Sequence, residues 1–302
     1  PFNAEYLGFQ VATRINAASR VSDVTTAFNF LTSPTLEEAQ LNLTQLDEDN
    51  LDRRAQQQIM LEDAQNIAKT LYTPQKYSLA VPLQGNAGIQ GIIATRIGEQ
   101  FGLPCVAMTD LKDGNLAGSG RAIVSNLDLR EAFQWMSEQD SELFISMGGH
   151  KGAAGCMIPL AKYDVFAELF EMAVKNQFGD EPPVPIVETD GELDDDMLIP
   201  ELIPHLNTLE PFGREWPQPV FSGNFEIIQI RAVGQTKTHL SCKLRTIGGK
   251  TIQAIYFNAK QTANEPTRFE VGSWVHGIYQ PSLNHFGGRT SVQLRLQWLQ
   301  AC

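Results

Sequence analysis

The sequence predicts an α/β domain preceded by a long helix and followed by a small all-β barrel. Three observations carry this. Residues 36–73 contain neither Gly nor Pro and place apolar side chains at helical spacing near both ends. Residues 74–178 alternate short apolar strands with amphipathic helices, the pattern of an α/β domain. Residues 211–302 hold five β-rich stretches parted by Gly and Pro turns.

The elements follow in chain order. The chain begins at Pro1, inside a patterned stretch, and reads as a piece of something longer. Thr35 followed by Glu38 forms a capping box that starts the long helix. Its stripe runs Leu36, Ala39, Leu43, Leu46, Asn50, Arg53, Gln57, Met60, Ala64, Ile67, Leu71. At 1.5 Å per residue the helix is about 55 Å long, more than one domain needs. The expectation is a helix that buries one end in each of two domains, with Asn50, Arg53 and Gln57 crossing between them. A coiled-coil segment is the alternative, against which three successive polar stripe positions count.

Strands are expected at 77–82, 104–109, 119–125 and near 156–159, and helices at 88–102, 129–136 and 162–178. Residues 179–210 form a connector that opens Pro-rich, and 179–201 hold nine acids and no base. Strands at 225–233, 239–246, 251–257, 274–280 and 291–298 suit a five-stranded barrel of OB type, with a small sandwich as the competing architecture.

Composition bounds the function. The 302 residues carry 35 acids against 23 bases, a net charge of −12, which alone argues against nucleic acid. The charge divides unevenly, however. Residues 211–302 hold ten bases and four acids, a net of +6, whereas residues 1–210 carry −18. No apolar run is long enough for a membrane span, so no membrane partner is expected. Four scattered cysteines make no CxxC pair or Cys/His cluster, which argues against a zinc site or disulfide framework and for a reducing cytoplasm.

Three segments carry candidate chemistry. In Gly148-Gly149-His150-Lys151-Gly152-Ala153-Ala154-Gly155 small residues let a backbone approach a ligand and successive N–H groups cradle a phosphate. A tight turn packed on a neighbour explains it equally well. Gly118-Ser119-Gly120-Arg121 places a hydroxyl and a guanidinium on one face of a strand, a pair suited to one phosphate, unless it is a surface turn. Arg14-Ile15-Asn16-Ala17-Ala18-Ser19-Arg20 offers two guanidiniums and an amide, either as an anion pocket or as an exposed helix end. Gly249-Lys250-Thr251 lacks the earlier Gly of a phosphate loop, and Asp194-Asp195-Asp196 suits a solvated linker better than a metal site. The first 149 residues contain no His, and no two-metal constellation can be assembled.

Together these segments resemble the RecJ family of the DHH phosphoesterase superfamily. Residues 14–20 resemble its RINAAGR stretch, with Ser19 in place of Gly. Asn50 and Arg53-Arg54 sit as in its linking helix, and Gly88–Arg96 resembles GVxGIVASR. Gly118–Arg121 resembles GSxR, and Gly148–Gly155 resembles GGHxxAAG, the mark of a DHHA1 domain. Pro211-Phe212-Gly213 and Pro217–Phe221 resemble the opening of the family's OB domain, and His239-Leu240, Phe257-Asn258, Gly272 and Asn284–Gly288 continue the match. Asn86 stands where the family often has His, and Glu215-Trp216 replaces Gly-Asn.

The resemblance implies a remnant of a DHH domain at 1–35, a linking helix at 36–73, a DHHA1-type domain at 74–178, the connector at 179–210 and an OB domain at 211–302. It implies a 5′→3′ exonuclease of DNA repair and recombination acting on single-stranded DNA, with Mn²⁺ or Mg²⁺ held by a DHH domain that this sequence lacks. The fragment alone is then expected to be inactive. By this resemblance Arg14, Asn16, Arg20, Ser119, Arg121, Gly148, Gly149 and His150 are the expected substrate-binding residues, with Ser119, Arg121 and Arg14 or Arg20 on the phosphates of the 5′ end and Gly148, Gly149 and His150 lining the same cleft. Lys237, Lys243, Arg245, Trp274 and Arg289 are the expected strand-binding residues of the barrel. A monomer is expected, with a single-strand-binding protein or a helicase as partner. A purely binding protein, an oligonucleotide or cyclic-dinucleotide phosphoesterase, and an accessory domain of alanyl-tRNA-synthetase type are the alternatives. The all-β end and the linking helix weigh against the last two.

Overall fold

The computed structural model describes residues 4–213, 215–260 and 263–302, without the side chains of residues 5, 286 and 289. The chain divides into two units, Pro1–Ile186 and Val187–Cys302.

The first unit opens with short helices: α1 (Ala4–Tyr6), a π-helical turn (Leu7–Ala12), α2 (Thr13–Val21) and α3 (Val24–Thr32). The long helix α4 (Leu36–Leu71) follows, started as expected by Thr35, whose hydroxyl accepts from the Glu38 N–H at 3.2 Å. Its two ends are buried in different clusters. Leu46 packs with Ala18 and Ala27, whereas Met60, Ala64 and Ala68 join the core of the sheet domain. The apolar stripe drifts around the helix, because 3.6 residues per turn does not keep a fixed 3/4 alternation. Leu36 is therefore exposed, and Ala68 takes the buried place expected of Ile67.

The sheet domain runs β1 (Leu79–Leu83), α5 (Gln90–Phe101), β2 (Cys105–Asp110), β3 (Asn115–Arg121), α6 (Leu129–Gln139), β4 (Ser146–His150), β5 (Ala153–Pro159) and α7 (Tyr163–Phe178). The strand order is β1-β2-β3-β5-β4, with β1 and β2 parallel and the other pairs antiparallel. Alternation divides the faces. Val106, Met108, Leu116, Cys156 and Ile158 meet the Phe133, Phe166 and Phe170 rings of α6 and α7. Each such ring contributes about 1.5–3 kcal/mol by burial. On the other face Leu79, Val81, Cys105 and Ala107 meet Ile89, Ile93 and Ile97 of α5 and the end of α4. Glu171 of α7 ties β1 in place: its carboxylate accepts from the Tyr77 and Ser78 N–H groups at 2.8 and 2.9 Å and from the Ser78 hydroxyl at 2.8 Å.

Two expectations shift here. The third strand ends at Arg121 instead of beginning at Ser119. Gly114, at φ +90°, turns the chain so that Asn115–Arg121 pairs with both neighbours, and the glycines at 118 and 120 are inside the strand. The segment at 148–155, read as a phosphate cradle or a tight turn, is a β-hairpin whose strands extend beyond that segment: β4 pairs with β5 from Ser146↔Met157 to His150↔Ala153.

The second unit contains α8 (Leu202–Asn207), β6 (Phe221–Val233), β7 (His239–Thr246), β8 (Thr251–Tyr256), β9 (Trp274–Phe286) and β10 (Arg289–Ala301). The strands close into a barrel in the order β10-β8-β7-β6-β9, with β10 and β8 parallel. This is the OB arrangement, and it displaces the sandwich alternative. Alternate residues such as Phe225, Ile227, Leu240, Cys242, Leu244, Ala254 and Leu294 point inward and fill it.

The acidic connector departs from expectation. From residue 187 it belongs to the barrel unit. Glu192 bridges to Ser222, Leu198 is buried in the barrel core, and Leu193 and Leu206 pack beside it. Asp195 accepts from the Thr246 hydroxyl at 2.8 Å. Leu193, Leu198 and Leu206 anchor the segment, while most of its acids, together with Val187, Met197 and Ile199, face water. Among the described residues no helix is long and apolar enough to cross a membrane.

Candidate functional site

Ser119 and Arg121 project from the same face of β3 that α5 covers over β1 and β2. The cover stops at them. In α5, Gly91 lies so close that a Cβ there would stand 2.5 Å from Arg121 Nη2 and 3.0 Å from Ser119 Oγ. Arg121 Nη1 donates to Ser119 Oγ at 3.0 Å and to the Gly120 carbonyl at 2.7 Å, which fixes the guanidinium.

Beyond β3 the same face is bare. Register places Arg121, Ala153 and His150 in one row, and Ser119, Gly155 and Gly148 in the next. His150 is thus two strand spacings from Arg121, about 10 Å. Gly148, Gly155 and His150 are exposed, and a Cβ at Gly148 would meet nothing within 4 Å. The result is a flat floor of small residues with Arg121 at one side and His150 at the other. His150 Nδ1 accepts from the Gly152 N–H at 3.1 Å, so the neutral ring carries its proton on Nε2, free to donate to a ligand. Gly149 has a different role. At φ +147°, its Cβ would collide with the Ala153 carbonyl at 2.4 Å, so this glycine serves hairpin packing and not ligand approach.

Two further guanidiniums face the same neighbourhood. Arg20, in the last turn of α2, donates from Nη1 to the Gly88 carbonyl at 2.7 Å. Asn86 locks this contact. Its Nδ2 donates to the Arg20 carbonyl at 2.9 Å and to Gln56 Oε1 at 3.1 Å, and its Oδ1 accepts from the Gly88 N–H at 2.8 Å. Gly88 is required, since a Cβ would stand 2.7 Å from the Arg20 carbonyl. Arg53 of α4 donates to Asn50 and Gln57. Burial pushes Arg53 and Arg121 below the usual arginine range; the charges of Arg54 and then Arg20 add to the effect at Arg53, and that of Arg20 at Arg121. Among the described residues no carboxylate lies within 4.0 Å of Arg20, Arg53 or Arg121. Arg20 with Arg53 and Arg121, none of them matched by a carboxylate among the described residues, is an arrangement chemically suited to an anion.

The other expected residues stand differently. Arg14 is paired with Asp47 of α4 at 2.5 Å, so its charge is already matched. Asn16 is exposed on α2. In the barrel, Lys243 points outward between Gln229 and Gln253 and has no carboxylate partner among the described residues. Lys237 sits in the β6–β7 turn with φ +54°. Arg245 is paired with Glu226 at 2.9 Å, and Trp274, in the same row beyond Glu226, is 42% exposed and not core. The side chain of Arg289 lies outside the described residues. Lys243, Arg245 and Trp274 thus share the outer face of neighbouring strands, whereas Lys237 lies in the β6–β7 turn and Arg289 begins β10. The sequence reading did not assign roles to Gly88, Gly91 and the Asn86–Gln56 link, or to exposed Phe257, edge-on to His239 with centroids 5.4 Å apart. The only signal for the first two was the spacing of glycines at the start of α5.

Among the described residues no three His, Cys, Asp or Glu side chains converge as a metal site. The described residues do not fit a divalent ion.

The mixed sheet with its glycine-rich hairpin, followed by a closed OB barrel, defines a DHHA1-plus-OB protein. Residues 75–176 match the DHHA1 domain and residues 189–297 the RecJ OB domain. The chain carries a DHHA1 domain followed by a RecJ OB domain. It is similar to the single-stranded-DNA-specific exonuclease RecJ of Haemophilus influenzae, at 28% identity over 99% of this chain and 52% of that protein. RecJ of Dickeya dadantii is 30% identical over 98% of this chain and 51% of its own length. The crystal structure of Thermus thermophilus RecJ with Mg²⁺ superposes with a TM-score of 0.76 at 25% identity, covering 99% of this chain and 44% of that one. The chain thus spans about half the length of the curated relatives it matches.

Proposed function

We propose that this chain is the strand-holding part of a single-stranded-DNA exonuclease that works from 5′ ends in DNA repair and recombination in the cytoplasm. The observation that carries the proposal is the cluster of Arg20, Arg53 and Arg121, without carboxylate partners, at the edge of a bare floor of small residues. Guanidiniums bind phosphate oxygens through paired N–H groups. Ser119, Arg121 and Arg20 take the terminal phosphate, and the first sugar and base lie over Gly148 and Gly155 towards His150. The barrel adds sequence-independent grip, through Lys237 and Lys243 on phosphates and Trp274 on a base. The names of the relatives, single-stranded-DNA-specific exonucleases, support the substrate class.

Hydrolysis is assigned to residues outside this sequence. The Thermus thermophilus structures hold Mg²⁺ and Mn²⁺, whereas the described residues here offer no site for either. The chain on its own then binds without cleaving. A single-strand-binding protein or a helicase is the class of partner that would deliver such strands.

Fluorescence anisotropy with labelled oligothymidylates tests this. The chain is expected to bind a 5′-phosphorylated single strand more tightly than its 5′-hydroxyl counterpart, and both more tightly than blunt duplex. Equal affinity for the two strands, or preference for duplex, contradicts the proposal.

A further inference from the structure

We propose that Arg53 holds the internucleotide phosphate next to the one at Arg121, so that the site reads two consecutive phosphates. This rests on the strand-holding function proposed above.

Arg53 is presented as a preset fork. Its Nε and Nη2 donate to Asn50 Oδ1 at 3.3 and 3.0 Å, and its Nη1 donates to Gln57 Oε1 at 2.6 Å. A guanidinium has five N–H groups. Three are used, which leaves one on each terminal nitrogen, the geometry of a bidentate phosphate contact. Asn50 is only 4% exposed, so the anchor is rigid.

The helix could have neutralised this charge and does not. Four carboxylates lie within two turns of Arg53; exposed Glu48 makes no ion pair with it, and the other three are engaged elsewhere. Asp47 pairs with Arg14, Asp49 accepts from Ser22 and Gln45, and Asp52 accepts from Gln56. Position 57, where an acid would pair with Arg53 at i+4, is Gln. The acceptors on Arg53 are neutral amides, which hold its geometry and preserve its charge.

The three cations form a line, not a ring. Arg20 is tied to the turn before α5 through Gly88, and Asn86 links that turn to Gln56, one turn from Arg53. Arg121 lies at the other end, against Gly91. One phosphate at Arg121 therefore leaves the Arg53 fork for the next, with Arg20 between them.

Isothermal titration of the full chain with 5′-thymidylate, which has one phosphate, and with the dinucleotide pTpT, which adds an internucleotide phosphate, separates the two ends. Arg53→Gln should weaken pTpT by tenfold or more and leave the mononucleotide within twofold, whereas Arg121→Ala should weaken both. Arg53→Lys, which keeps the charge but not the fork, should lose most of the same affinity and serves if the Gln variant does not fold. Equal weakening of both ligands by the Arg53 variants, or no effect on pTpT, overturns the two-phosphate reading while Arg121→Ala still upholds strand holding. A wild-type chain that binds neither ligand overturns strand holding and this proposal together.

Discussion

Gly91 determines where the Arg121 guanidinium lies. Adding a methyl there costs the fold little, because the colliding atom is the far end of a flexible side chain, and Ala in a helix interior is favoured over Gly by about 1 kcal/mol. Gly91→Ala should therefore keep or raise the melting temperature while weakening binding of a 5′-phosphorylated strand by about tenfold. Thermal denaturation and anisotropy on the same sample check both halves, and intact binding would show that Arg121 is not held by this contact. At this scale the sequence was readable where chemistry is local. Ser119 and Arg121, two apart on a strand, do share a face and a hydrogen bond. It was unreadable where a partner comes from afar. The Asp47 that neutralises Arg14 and the Glu226 that neutralises Arg245 are distant in sequence, and no local pattern announces either pairing.

The β4–β5 hairpin shows how two adjacent glycines divide their roles. Gly149→Ala forces a Cβ into backbone at φ +147° and should lower stability by about 1–3 kcal/mol. Gly148→Ala meets open space in the chain and should leave stability within about 0.5 kcal/mol. Instead, it should narrow the floor and weaken strand binding. Chemical denaturation of the pair decides it, and equal loss of stability in both would refute this division. Helix α4 was legible because 36 residues without Gly or Pro leave few alternatives, and Thr35 marks its start. The hairpin was not, because Gly in an edge strand carries the same signal as Gly in a loop. The third strand slid for a similar reason, its glycines at 118 and 120 reading as a turn when they are strand residues packed against β2 and β5.

Over the whole molecule, charge and hydrophobic pattern act at different lengths. The barrel was legible from alternation alone, but its lower edge was not. Leu198, 3% exposed, is an apolar residue inside an acidic run, and composition averaged it away. Leu198→Ala should destabilise the barrel unit by about 2–5 kcal/mol, measurable by urea denaturation. A loss near zero would mean that the acidic segment is a mere link. The net charge of −12 also misleads as a single number, because the ligand meets local cations. If phosphates are held in the first unit, log affinity for an oligothymidylate long enough to condense counterions should fall with log salt at a slope of about 0.7 per phosphate contacted. Longer strands that also engage the barrel should show a steeper slope, and a salt-independent affinity would exclude phosphate recognition at either place.

The most direct measurement is isothermal titration of a 5′-phosphorylated oligothymidylate into the wild-type chain and into Arg121→Ala at one salt concentration. Loss of a charge-assisted phosphate contact predicts at least tenfold weaker binding, about 1.4 kcal/mol, with the melting temperature unchanged. Equal affinity in the two proteins would contradict the assignment of the unpaired guanidinium cluster as the place where the strand is held.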